Sequence, residues 1–118
     1  MAEQDIRTVE VKLEDFFTKI LSVIGKTTDG QIADQLHKNK KTIAVAESVT
    51  GGLIASRLTN VPGSSDFFIG GIVSYHPRVK VTQVGVPAAT ISHFGIVSKE
   101  VAIAMAEEIK KRFHTDFG

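Results

Sequence analysis

Thr42-Ile43-Ala44-Val45-Ala46-Glu47-Ser48-Val49-Thr50-Gly51-Gly52-Leu53-Ile54-Ala55 is the stretch that decides the fold. A β-branched run, Thr42-Ile43-Ala44-Val45, leads into small and polar residues, Ala46 to Gly52, and Leu53, Ile54, Ala55 and Leu58 follow at helical spacing. The pattern predicts strand, tight turn, helix. Such a turn sets a small polar side chain at the carboxyl end of a strand, where open α/β sheets bind their ligands. The glycines permit close backbone approach. The first N–H groups of the helix lack intrahelical acceptors and suit an anion or oxyanion. Ser48 is the candidate nucleophile; the plainer alternative is a turn that only caps the helix.

Outward from this stretch, a length of 118 residues supports one small α/β domain, or a piece of a larger one. Hydrophobic residues make up 42% and charged residues 23%, the balance of a globular protein. A net charge of +1 gives no support to a nucleic-acid partner. The absence of cysteine excludes disulfides and thiolate chemistry. The polar start, Met1-Ala2-Glu3-Gln4-Asp5, is unlike a secretory signal, and no apolar run approaches the roughly 20 residues that span a bilayer. A cytoplasmic protein without a membrane partner is expected.

Residues 1–12 read as a flexible N-terminus and residues 13–118 as the domain, led by a helix over 13–24 with its apolar face on Leu13, Phe16, Phe17, Ile20, Leu21 and Ile24. Thr28 or Asp29 caps a second helix that carries Ile32, Ala33 and Leu36. It ends in His37-Lys38-Asn39-Lys40-Lys41, which complements the helix dipole or, alternatively, binds phosphate. After the central unit, Asn60 to Asp66 reads as a loop, and Phe67 to Tyr75 as a buried strand. Gly70-Gly71 inside that strand implies a bend or a ligand close to the backbone. Pro77 opens a short helix to about Val84, and Pro87 to Phe94 forms a helical turn. Ser98 caps the last helix, with Val101, Met105, Ile109 and Phe113 on one face and Ala102 and Ala106 on the same side. Only two strands are convincing. The alternation predicts a further strand where the sequence ends, and hence an incomplete sheet whose open edge favours homo-oligomers.

The histidines at 37, 76, 93 and 114 have no metal-ligand spacing, so no metal site is assigned. Glu47 is best placed to anchor the turn by accepting N–H bonds, because its side chain and that of Ser48 leave the strand on opposite faces. A serine needs a neighbouring base. Lys80 can serve if burial lowers its pKa, and Tyr75 ends the second strand, near Ser48 if the strands are parallel neighbours.

Several ordered motifs add to this reading. They are Ala46-Glu47-Ser48-x-Thr50-Gly51-Gly52, Leu58-Thr59-x-Val61-Pro62-Gly63-Ser64-Ser65, Phe68-x-Gly70-Gly71-x-Val73-x-Tyr75 with Lys80, Val84-Gly85-Val86-Pro87, and Gly95-x-Val97-Ser98-x-Glu100-Val101-Ala102. In these, residues 40–118 resemble the CinA C-terminal family, and residues 9–40 resemble the segment that leads into that domain. The resemblance implies a three-layer α/β/α sandwich. It also implies a nicotinamide-nucleotide amidohydrolase, which converts nicotinamide mononucleotide and water to nicotinate mononucleotide and ammonia without a cofactor. By motif, Ser48 is then the nucleophile, Lys80 its base and Tyr75 a hydrogen-bonding partner. Thr50, Gly51 and Gly52 are the substrate-binding turn, with N–H groups near Thr50 and Gly51 facing the oxyanion. Val49 stands where the family often has cysteine, and His76-Pro77 where it has Ser-Asn. Family members continue with a strand and loop that supply a threonine and later an arginine, so the alternative expectation is a catalytically incomplete binding or assembly module.

Overall fold

The computed structural model describes residues 28–118. The expected flexible residues 1–12 and the helix over 13–24 lie outside them. In order come α1 (Thr28–Lys38), β1 (Ile43–Glu47), α2 (Leu53–Thr59), a 3₁₀ turn (Ser64–Asp66), β2 (Phe68–Val73), the single turn α3 (Pro77–Val79), a π-helical turn (Lys80–Val84), α4 (Ala88–Phe94) and α5 (Lys99–Phe113). The fold is α/β, as expected.

β1 and β2 pair in parallel, which aligns their carboxyl ends. Parallel strands need a crossover, and α2 supplies it. Alternation along β1 then sorts the core into two clusters. Ile43 and Val45 face α1 and α2, packing with Ile32, Ala33, Leu36, Leu58 and Phe67. Ala46 faces the other way, with Ile72, Val84, Val86, Val101 and Met105. The sheet thus lies between α1 and α2 on one face and α5 on the other. Leu36 is 1% and Ile109 0% exposed, each contributing about 1.5–3 kcal/mol by burial.

Local chemistry sets the boundaries. Lys40 takes a left-handed turn (φ 53°) after α1 and returns the chain toward β1. The basic residues at the end of α1 sit in solvent beside acids, Lys38 with Asp34 at 3.0 Å and His37 with Asp66 at 3.4 Å. The Ser98 hydroxyl caps α5, accepting from the Val101 N–H at 3.2 Å. On α5, Val101, Met105 and Ile109 are buried as expected and Ile103 is buried as well, whereas Ala102 is exposed.

The reading of Gly70-Gly71 changes in detail. Register shifts between Ile43 and Ala44, which pair with Phe68 and Gly70, so Ile69 is an extra residue and the irregularity precedes the glycines. The close approach to their backbone is made by the chain itself. A Cβ on Gly70 would stand 2.6 Å from the Phe113 ring, and one on Gly71 would stand 2.7 Å from Val45 Cγ2. Glycine here lets α5 close onto the sheet.

At the end of the sequence, where a further strand is expected, there is an isolated bridge. Phe117 forms a parallel bridge with Ile43, on the edge of β1 opposite β2. Its N–H donates to Thr42 O at 3.0 Å, and its carbonyl accepts from the Ala44 N–H at 3.2 Å. The Asp116 carboxylate steadies this rung, accepting from the Thr42 N–H at 2.9 Å and from its hydroxyl at 3.1 Å. Gly70→Val should cost about 1–3 kcal/mol by overpacking against Phe113, read as a lower midpoint in urea unfolding. Ile69→Val, half-exposed at the bulge, should leave that midpoint nearly unchanged.

Candidate active site

The turn after β1 is built around Glu47. Its Oε1 accepts from the Ile54 N–H at 3.0 Å and its Oε2 from the Ala55 N–H at 2.9 Å. Gly52, at φ 106°, precedes α2 without a side-chain cap, so the carboxylate from the end of β1 caps the helix instead. Burial works to raise the Glu47 pKa. The N–H groups of Ala55 and Ile54, the Thr50 hydroxyl and the Gly52 N–H outweigh that effect and hold the carboxyl below its ordinary value. Gly51, at φ 63°, donates its N–H to Ser48 O at 3.0 Å and closes the turn on which Ser48 sits.

Lys80 comes to Ser48 from the other strand's continuation. Beyond β2 the chain passes Ser74 and Tyr75, and His76 caps the next turn by accepting from the Arg78 N–H at 3.0 Å. The helix then widens to a π turn at Lys80, whose carbonyl takes the N–H groups of Gly85 at 3.0 Å and Val86 at 2.9 Å. Widened turns of this kind are frequent at functional sites. The side chain turns inward and is 3% exposed. Its Nζ bonds to Ser48 Oγ at 2.9 Å, to Tyr75 O at 3.3 Å and, more closely, to Ser74 O. Desolvation lowers the Lys80 pKa, because burial penalises the ammonium.

Nζ thus has three oxygen partners, Ser48 Oγ and the carbonyls of Ser74 and Tyr75. In its neutral form it has two hydrogens, which the two carbonyls can take, and a lone pair that can face the Ser48 O–H. Nucleophile and base within hydrogen-bond reach, with the base itself oriented, is the arrangement that activates a serine.

The pair opens on a cleft of about 950 Å³ that runs along the edge of β1 opposite β2, between α5 on one side and α1 and α2 on the other. Ser48, Thr50, Tyr75 and Lys80 line it, whereas Gly51 and Gly52 shape the turn from behind. Tyr75 reaches Lys80 through its carbonyl, and its ring is 71% exposed at the mouth of the cleft. Arg57 and Lys80 are the cations among the described lining residues, and Arg57 is held by Asp29 at 2.8 Å. The Gly51 N–H, expected near the oxyanion, is engaged within the turn by Ser48 O, whereas the N–H groups of Val49 and Thr50 have no protein acceptor among the described residues. The described residues bring together no group of three or more His, Cys, Asp or Glu side chains that could hold a metal ion. No helix among them is long and apolar enough to cross a membrane. Sequence reasoning passed over Ser74, a fully buried serine in the same site. A single small residue at a strand end carries no signal of its own.

Comparison with known proteins gives the family. The model of the CinA C-terminal domain matches residues 25–118. The chain belongs to the CinA C-terminal domain family. A competence-damage inducible protein of Moorella thermoacetica is 52% identical over 111 residues, 94% of this chain and 26% of that one. A CinA-like protein of Myxococcus xanthus is 41% identical over 118 residues, 99% of this chain and 28% of that one. The competence/damage inducible protein of Agrobacterium tumefaciens, of known structure, is 35% identical with a TM-score of 0.71, over 73% of this chain and 52% of that one. This CinA-family chain thus spans about a quarter of the length of the curated relatives it matches, and about half of that solved structure.

Glu47→Gln keeps the shape of the cap and removes its charge. It should lower stability by about 1.5–3 kcal/mol near neutral pH, the scale of hydrogen bonds to a charged group. Because the folded-state pKa is depressed, that contribution is complete above the ordinary glutamate pKa and fades as pH falls through the depressed value. Urea midpoints of the two proteins should therefore differ at neutral pH and converge in strong acid.

Proposed function

We propose that Ser48 and Lys80 are the nucleophile and general base of a nicotinamide-nucleotide amidohydrolase. The observation that carries this reading is the 2.9 Å bond between Lys80 Nζ and Ser48 Oγ at an amine stripped of water. The family resemblance supplies the reaction, and the geometry supports its first step. Lys80 accepts the Ser48 proton as Oγ attacks the carboxamide carbon of nicotinamide mononucleotide, forming the C–O bond. The oxyanion meets the N–H groups of Val49 and Thr50. Lys80 then returns the proton to the departing nitrogen, the C–N bond breaks, and ammonia leaves an acyl ester on Ser48. Water, deprotonated by Lys80, attacks that ester and releases nicotinate mononucleotide with Ser48 restored. General-base catalysis of this kind contributes about 10²–10⁴-fold. No cofactor enters these steps. The exposed ring of Tyr75 and the apolar wall of the cleft suit a planar pyridinium ring.

Ammonia release from nicotinamide mononucleotide should be abolished in Ser48→Ala and in Lys80→Met. Near-wild-type turnover in either variant would remove that residue from its role. Neutral Lys80 is the working form, so the rate should rise with pH through the lowered lysine pKa. Stability gives a control of opposite sign. A lysine with a folded-state pKa below its unfolded value binds fewer protons folded than unfolded, so it opposes folding below that range. Lys80→Met should therefore lose activity while its melting temperature holds or rises at neutral pH.

A second reading, an assembly module, is favoured by the edge of β1 that carries, among the described residues, the single Phe117 rung. Such an edge invites strand addition by a second copy. Sedimentation velocity across micromolar concentrations should show a concentration-dependent dimer, and a monomer throughout would count against this reading.

A further inference from the structure

We infer that Ser74 is the positioning residue of the Ser48–Lys80 pair, a single buried side chain that fixes nucleophile and base relative to each other. The inference rests on the reading of Lys80 as the base. Ser74 is 0% exposed. Its N–H donates to Glu47 O at 2.7 Å and its hydroxyl to the same oxygen at 3.1 Å. That carbonyl belongs to the peptide group joining Glu47 to Ser48. Ser74 therefore grips the nucleophile's own backbone with two donors, while its own carbonyl accepts from Lys80 Nζ.

The sheet ladder alone accounts for the N–H bond, as a rung beyond Val73 in the parallel register. It does not account for the hydroxyl. With the second bond made, the Ser74 side chain is confined to one rotamer, and the peptide carrying its carbonyl is tied to the end of β1. This matters because a lysine side chain has four rotatable bonds and about 2 kcal/mol of rotamer entropy. Its lone pair faces Ser48 Oγ only while its two hydrogens are held elsewhere. The carbonyls of Ser74 and Tyr75 hold them, and the first is the closer.

The charged surroundings leave this device to backbone dipoles. On β1, the Glu47 carboxylate is turned toward α2. Tyr75 presents its carbonyl, and on α5 the Glu108 and Arg112 side chains face Gly85 at the far end of the π turn. Loosening Ser74 lets the amine swing toward water, where its charged form is favoured.

The test is Ser74→Ala in the full chain, with two readouts. The first is the ε-carbon NMR titration of Lys80, assigned by loss of the signal in Lys80→Met. Its midpoint should move up by about one unit, toward the ordinary lysine value. The second is steady-state deamidation of nicotinamide mononucleotide, in which kcat should fall roughly ten- to a hundredfold, the scale of a small misplacement, with KM little changed. Ser74→Cys, with a somewhat larger side chain and a weaker donor, should fall between wild type and Ser74→Ala, which ties the effect to donor strength. A folded Ser74→Ala with a wild-type midpoint overturns the inference, and so does a loss of kcat that leaves the midpoint in place. A shifted midpoint in a protein whose wild type releases no ammonia upholds the positioning role and removes the amidohydrolase reading instead.

Discussion

The contact on which the rest of the structure depends is the parallel rung between β1 and β2 at their carboxyl ends, where the Ser74 N–H meets Glu47 O at 2.7 Å. Parallel pairing is what brings residues 48 and 80, far apart in the chain, to one end of one sheet. An antiparallel pairing would send the continuation of β2 to the opposite end. The two glycines of β2 make this pairing compatible with close packing on both faces. At Gly70 the ring of Phe113 fills the place of a side chain, and at Gly71 the isopropyl group of Val45 does so. Sheet register, α5 docking and site geometry are one constraint seen at three positions.

Much of this was legible in the sequence because the strongest signals are local. The strand-turn-helix around Ser48, the Ser98 cap and the Val101-Met105-Ile109 stripe all follow from periodicity and capping chemistry, and they stand where expected. The strand ran two residues further than its β-branched start implied, through Ala46 and Glu47. Pairing with β2 carries it on, and pairing is not a local property. The bulge at Ile69 was read only as a bend at the glycines that follow it, and the π turn at Lys80 went unread, for the same reason. Each is a one-residue adjustment that lets distant elements meet, and no pattern within its own segment requires it.

The site divides in the same way. Motif order singled out Ser48, Lys80 and Tyr75, and the structure puts Ser48 and Lys80 in contact while engaging Tyr75 through its backbone. Roles played by backbone atoms are invisible to a reading of side chains. That is why the Tyr75 and Ser74 carbonyls, and the engaged N–H of Gly51, are visible only in the folded structure. Glu47 is the exception. Its anchoring role could be argued beforehand, because adjacent strand residues face opposite ways and a carboxylate beside a helix start has obvious donors.

That same parity decides the chemistry. Ile43, Val45 and Glu47 share the face covered by α1 and α2, whereas Ala46 and the π turn that carries Lys80 share the face covered by α5. The carboxylate next to Ser48 is thereby spent on the first N–H groups of α2 and withheld from the lysine. Were it on the other face, an ion pair would favour the ammonium and raise the lysine pKa, and the amine would have no lone pair to offer. Neutral carbonyl dipoles instead hold Nζ in a dry site, which costs the protonated form its hydration and supplies no compensating charge. The proposed activation of Ser48 by Lys80 needs such surroundings, and the two-residue repeat of a β-strand creates them.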